Sequence, residues 1–315
     1  MASTTPNLMY MNNIDDHRAP PGPQDPMFEL GFARPVKRRD FLRAGDVGNS
    51  ECSGAVAEEI PVALVYNQMP HVVMMATPAD LEDFAVGFTM SEQIVERFSD
   101  ISLVHVVRQA QGTQIFLEIP DDAAERISGR SRRLVGRTGC GLCGVELISD
   151  ALKLVPPMQR REPISFEAVT RAEQGMHEAQ LWNRETGSMH AAAWATRDGT
   201  VVVTREDLGR HNAVDKVIGA LAREGRDASE GFLLVTSRAS YELVQKAAIA
   251  RIPLLAAISR PTGLAIRMAE AAEMTLVALL RGESANIYSH PEGIDLTNAP
   301  VEMLQSDRSG MGVVA

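Results

Sequence analysis

Cysteine is scarce in this chain, with 3 among 315 residues. So few thiols cannot build a disulfide framework. They fit a reducing compartment, where a close pair is more often metal-binding or redox-active. No run of 18 apolar residues occurs, which excludes a helix spanning a membrane. Positive charge is in deficit too. The formal net charge is -10, which argues against general nucleic-acid binding. No internal repeat is apparent. One string, "KRRDFLR" (37–43), looks like a twin-arginine export signal, but such a signal needs an apolar segment directly after it. "AGDVGNSECSG" follows instead, so a cytoplasmic protein is expected.

What is present is an ordinary globular composition, 45% hydrophobic and 23% charged, in a chain long enough for one large or two medium domains. Residues 1–51 are rich in Pro, Asn, Asp and Arg and show no sustained period of 2 or 3.6, so a disordered tail is expected there. The end, 296–315, reads the same way. A first block, 52–155, opens with apolar runs "VALVY" and "HVVMMA" separated by "NQMP", a hairpin pattern. "TPADLEDFAVGFTMSEQIV" follows as a helix, with Thr77 as a capping candidate and Pro78 suited to the first helical position. "SLVHVV" and "TQIFLEI" make a second strand pair. A second block, 160–295, starts with a helix from Ser165 and a hairpin of "HAAAWA" and "VVVT". Strands and helices then alternate, which predicts an α/β domain with a mostly parallel sheet.

Ligands on such sheets bind beyond the carboxyl ends of the strands. "VTSRAS" (235–240), "ISRPTG" (258–263) and "LLRGES" (279–284) fall there, and each carries an arginine, Arg238, Arg260 and Arg281. Together they suggest an anion or nucleotide pocket. Tyr241 and Glu242 would open a helix after Arg238, offering backbone N–H groups to a phosphate. Asp207, His211 and Asp215 recur every four residues and could share a helical face, with Asp207 read as a cap. Trp182 and Trp194 read as core residues.

The string "GRTGCGLCGVE" (136–146) holds Cys140 and Cys143 among glycines. Three chemistries compete for a Cys-x-x-Cys pair. Structural zinc wants four ligands, and neither a second pair nor a His-x₃₋₅-His pair exists, so no metal site is assigned. Thiol–disulfide exchange usually sits at a strand-to-helix junction rather than in a glycine loop. A sulfur relay needs a reachable thiolate. Glycine supplies reach, and Arg126, Arg130, Arg132, Arg133 and Arg137 lie just upstream. A free thiol has a pKa of about 8.5, and nearby cations can lower it by about one unit or more.

"RTGCGLCG" resembles the signature of the formate dehydrogenase accessory sulfurtransferases, the FdhD family. "TPADLEDFAVGFTMSEQIV", "REDLGRHNAVDKVIG" (205–219) and "SRASYELVQKAAIARIPLLAAISRPTGLAI" (237–266) look like further family blocks, so the resemblance covers roughly 58 to 293. It implies a cytidine-deaminase-like C-terminal domain with a smaller α+β N-terminal domain, and a homodimer. It implies a sulfur carrier of sulfurtransferase type. Cys140 would carry a persulfide received from a cysteine desulfurase, and Cys143 would assist. The cargo would be the bis-molybdopterin guanine dinucleotide molybdenum cofactor, sulfurated before it enters the formate dehydrogenase apoenzyme. The implied cofactor residues are Leu279, Leu280, Arg281, Gly282, Glu283 and Ser284, joined by His190, Arg238 and His211. Glu283 and Ser284 stand where the family pattern is closer to glycine and arginine, which weakens phosphate binding there. The other readings are a cofactor-binding chaperone without sulfur transfer, and a thiol–disulfide or zinc protein.

Overall fold

The computed structural model describes residues 30–43, 50–131, 155, 157–159 and 161–297. Strand β3 (Ile60–Tyr66) alternates Ile60, Val62, Leu64 and Tyr66 inward, each fully buried. Asn67 and Gln68, both at positive φ, turn the chain into β4 (Met69–Ala76). A two-residue turn of that hand matches the twist of a hairpin. With β5 (Leu103–Gln109) and β6 (Gly112–Glu118) they form a sheet of order β4-β3-β6-β5, in which β3 and β6 run parallel. Helix α1 (Leu81–Ser91) covers it with Leu81, Phe84, Ala85 and Phe88. The helix α2 (Asp121–Ser131), not expected from sequence, tucks Ala123, Ala124 and Ile127 into the same core.

A six-stranded sheet has order β13-β12-β11-β10-β8-β9, from β8 (His190–Thr196), β9 (Val201–Asp207), β10 (Gly231–Val235), β11 (Leu254–Ala257), β12 (Thr275–Arg281) and β13 (Ser284–Ser289). Alternate residues of each strand serve two cores. Leu233 and Val235 face α5 (Arg210–Arg223), α6 (Tyr241–Ile249) and α7 (Gly263–Ala271). Phe232 and Leu234 face α3 (Phe166–Ala179), which Ser165 caps by accepting the Ala168 N–H. A short helix, α4 (Leu181–Thr186), leads into β8. The expected α/β class therefore holds, with a four-stranded α+β unit ahead of it.

Three expectations change. The large sheet is mixed rather than mostly parallel: only β10–β11 and β11–β12 pair in parallel, while β8–β9, β8–β10 and β12–β13 are antiparallel. The hairpins at its two edges need only tight turns, and alternation of strands and helices does not register them. The tail expected to end at 51 contains order. The strand β1 (Val36–Arg43) pairs with β2 (Ser50–Ala57) through eight opposed residues. Most of its side chains are exposed, so no alternation marked it. Thr77 does not cap α1, whose N-cap is Asp80 in the left-handed region. Thr77 instead joins the two halves of the chain. Its N–H donates to Asp207 Oδ2 (2.9 Å), its hydroxyl accepts from Leu208 N (3.1 Å), and its carbonyl accepts from Lys216 Nζ (3.3 Å). A paired strand β7–β14 (Ile164–Ser165 with Ile294–Asp295) completes the described structure. No described helix is long and apolar enough to cross a membrane.

Candidate functional site

The carboxyl ends of β10, β11 and β12 lie side by side, and their loops are stitched together. Thr262 N donates to Ala239 O (3.0 Å), Leu279 N donates to Ser259 O (3.1 Å), and Ala239 bridges Pro261. This brings Arg238, Arg260 and Arg281 along one rim. All three are exposed, and none of their side chains has an ion-pair or hydrogen-bond partner among the described residues. Three unpaired guanidiniums on one rim, in an acidic chain, form a local anion-attracting edge.

Because β8 runs opposite to β10, its first residue, His190, reaches the same rim beside β10's end. Around it stand Arg210 and His211, which open α5, and Glu242, in the first turn of α6. His211 Nε2 lies 2.8 Å from Glu242 Oε2. That close contact holds the Glu242 carboxyl below its usual range. Burial first, then the nearby Arg210 and His211, push the His190 imidazole below its ordinary value. Among the described residues, the buried Arg210 Nε and the buried hydroxyl of Ser240, the residue that opens α6, have no hydrogen-bond partner. A buried donor left unsatisfied costs about 1–3 kcal/mol, which a ligand oxygen would relieve. Arg210 and Ser240 were not singled out in the sequence. The signal available was their place at helix starts directly after strand ends.

The predicted loop 279–284 is only partly suited to binding. Leu280 is fully buried in the core on the α3 side, so its side chain faces no ligand. Leu279 sits at φ 56 in a bulge, which is what turns Leu280 inward. Gly282 and Glu283 make the tight turn into β13, and Ser284 Oγ donates to Arg281 O (3.2 Å). Within this loop Arg281 and the turn remain exposed. Asp207, His211 and Asp215 do not share a helical face. Asp207 ends β9, and its carboxylate is taken up by Lys216 (2.7 Å), Thr77 N, Gly209 N and Asn212. Asp215 points away from the rim, to Ser91 and Lys246. Trp194 is buried, with Nε1 donating to Ala228 O (3.1 Å), while Trp182 is half-buried.

Cys140 and Cys143 lie outside the described residues. Of the five upstream arginines, Arg126 has a described side chain, and it is engaged: Nη1 pairs with Asp122 (2.6 Å) and Nη2 donates to Ile94 O (3.3 Å). The described chain stops at Ser131, the end of α2, and resumes at Val155. Arg126 and Val155 both line a cleft of about 860 Å³ with Gln93, Ile94, Met158 and Arg251. This cleft touches Ala250 and Arg251, just past the C-terminal end of α6, whereas the arginine rim lies at its N-terminal end. Among the described residues no three His, Cys, Asp or Glu side chains gather as a metal site.

Residues 57–295 match the model of the FdhD/NarQ family. The chain belongs to that family. It is similar to the sulfur carrier protein FdhD of Xanthomonas euvesicatoria pv. vesicatoria, 51% identical over 241 residues, covering 76% of this chain and 86% of the relative. The sulfur carrier protein FdhD of Bordetella petrii is 48% identical over 255 residues, covering 81% and 92%. The fold matches the crystal structure of a candidate formate dehydrogenase accessory protein from Desulfotalea psychrophila, with a TM-score of 0.66, 23% identity, and coverage of 82% of this chain and 99% of that one. The family match ends at 295 and so includes the rim, the cleft and the Cys-x-x-Cys string.

Proposed function

We propose that this protein is a sulfur carrier for formate dehydrogenase maturation. The observation that carries this reading is its near-50% identity, over most of both chains, to proteins named for that role. Cys140 is the carrier. Its thiolate attacks the terminal sulfur of a desulfurase persulfide, breaks that S–S bond and releases the desulfurase thiolate. Cys143 is the resolving thiol. Its attack on the inner sulfur of the Cys140 persulfide forms a Cys140–Cys143 disulfide and releases the outer sulfur as sulfide, so the electrons balance within the pair.

The acceptor in this reading is the bis-molybdopterin guanine dinucleotide molybdenum cofactor, carried as cargo. The rim fits a long, phosphate-bearing molecule. Strands stand about 4.8 Å apart, so the row from β12 to β8 extends roughly 14 Å. Arg281 lies at one end, Arg260 and Arg238 between, and Arg210, His190 and His211 at the other. The unsatisfied Arg210 Nε and Ser240 hydroxyl are donors waiting for acceptors, as phosphates would be. In this reading the protein is a homodimer that meets a cysteine desulfurase and the formate dehydrogenase apoenzyme.

The test is mass spectrometry after incubation with a cysteine desulfurase and cysteine. The expected result is one additional, reductant-labile sulfur on Cys140, absent in Cys140→Ala. A wild-type protein that gains no sulfur would instead be a cofactor-holding chaperone.

A further inference from the structure

We infer that the β1–β2 ribbon is a docking strip for a partner protein, which presents an extended segment carrying carboxylates at alternate positions. The ribbon holds "KRRDFLR", the string that neither the cysteine chemistry nor the arginine rim uses. Six consecutive residues of β1, Arg38 to Arg43, are exposed, and its outer edge has no neighbouring strand among the described residues. An unpaired strand edge is a template for a further strand. A two-stranded ribbon is also marginal by itself in water, so a third strand would consolidate it.

Side chains alternate along a strand, and here the alternation sorts charge. One face carries Lys37, Arg39, Phe41 and Arg43, opposite Val56, Gly54, Cys52 and Ser50, with no acidic residue. Phe41 lies across Gly54, where an added Cβ would sit 3.0 Å from its ring. Lys37 is tied to Glu58 (2.6 Å), but the side chains of Arg39 and Arg43 have no partner among the described residues. Phe41 is 43% exposed and Val56 38%. The face thus reads cation, aromatic, cation at every second residue. An added strand with acid, apolar and acid residues at every second position matches it side chain for side chain, while its backbone bonds to the β1 edge.

Charge selects the class of occupant. The chain as a whole carries -10. A polyanion such as nucleic acid, or an anionic membrane, meets that repulsion over its whole extent. A short segment with two or three carboxylates samples only the ribbon, since charges beyond about 8 Å are screened at physiological salt.

The experiment measures fluorescence anisotropy of a labelled peptide with Glu, Val and Glu at alternate positions and Thr between them. Wild-type protein is expected to bind it, more weakly as salt rises from about 50 to about 300 mM. Binding should fall by about tenfold or more for Arg39→Glu/Arg43→Glu, and likewise when Gln replaces both Glu of the peptide. Both arginines are exposed, and circular dichroism is to check that the variant stays folded. Absence of peptide binding, or equal binding by the variant, overturns the inference. So does tighter binding of a short DNA duplex or of anionic vesicles. If sedimentation shows that the variant dissolves a wild-type dimer, the occupant is a second copy and the partner assignment falls.

Discussion

Lys246 is only 6% exposed and still carries a charge. Its ammonium donates to both oxygens of Asp215 (2.8 and 3.0 Å), to Ser91 Oγ (2.9 Å) and to Glu92 Oε1 (2.9 Å), and it lies 5.5 Å from the Phe88 ring centroid. Burial works against the charge, but Asp215 and Glu92 outweigh it and raise its pKa. Lys246→Met would leave Asp215 buried without its cation, at an expected cost of about 3–5 kcal/mol in urea unfolding. A loss below about 1 kcal/mol would show the pair to be dispensable. His290 gives a pH test. Burial lowers its pKa, but the Glu270 carbonyl (3.1 Å) and the Glu292 carboxylate (3.2 Å) prevail and raise it above 6.5. A raised histidine contributes stability that is complete below 6.5 and is lost as pH climbs through the folded-state value. Thermal unfolding should therefore lose a decrement just above that pH, and His290→Gln should remove the decrement. An unchanged pH profile in the variant counts against it.

At the scale of elements, the decisive contact is α1 against α5. Gly87 and Gly219 sit where the two backbones touch. A Cβ on Gly87 would overlap the Asp215 carbonyl, and one on Gly219 the Asp83 carbonyl. Around this crossing Asp83 binds Arg205 (2.7 Å) and Arg223, and Asp207 binds Lys216. The seam has no room to give, so Gly87→Ala or Gly219→Ala should each cost about 1–3 kcal/mol or more. Their effects should be non-additive, because both open the same gap. Denaturant midpoints of the two variants and the double variant test this. Additive losses would mean that the helices part independently at each site. Helix α1 was legible from apolar residues three and four apart, and α5 from the alternation of strands and helices. Their crossing was not, since a glycine in a helix looks the same in sequence whether it faces solvent or another backbone.

Across the whole molecule, α6 separates a cleft from the arginine rim. The cleft lined by Arg126 and Val155 reaches its C-terminal end and the arginine rim its N-terminal end, about 13 Å apart for nine residues. Binding and sulfur carriage should therefore separate genetically. Guanosine diphosphate, as a probe for the nucleotide end of the proposed cargo, should bind Cys140→Ala like wild type. It should bind Arg238→Ala/Arg260→Ala/Arg281→Ala about tenfold or more weakly. Calorimetry measures both. Unchanged affinity in the triple variant would remove the rim as the binding site, while leaving the persulfide test on Cys140 untouched.

The sequence alone determined whatever depends on near neighbours in the chain. These include the alternating strands and helices that place Arg238 and Arg260 at strand ends, the helical stripe of α1, and the paired thiols at 140 and 143. It left undetermined what depends on distant ones. Arg205 meets Asp83 across 122 residues, and Lys246 meets Ser91 across 155. Thr77 left its capping place for a carboxylate 130 residues away. Leu280 turned into the core because of a bulge one residue earlier. Periodicity records which side a residue faces. Only the packed molecule decides what waits there, because desolvated charges and touching backbones acquire their energies when the elements come together.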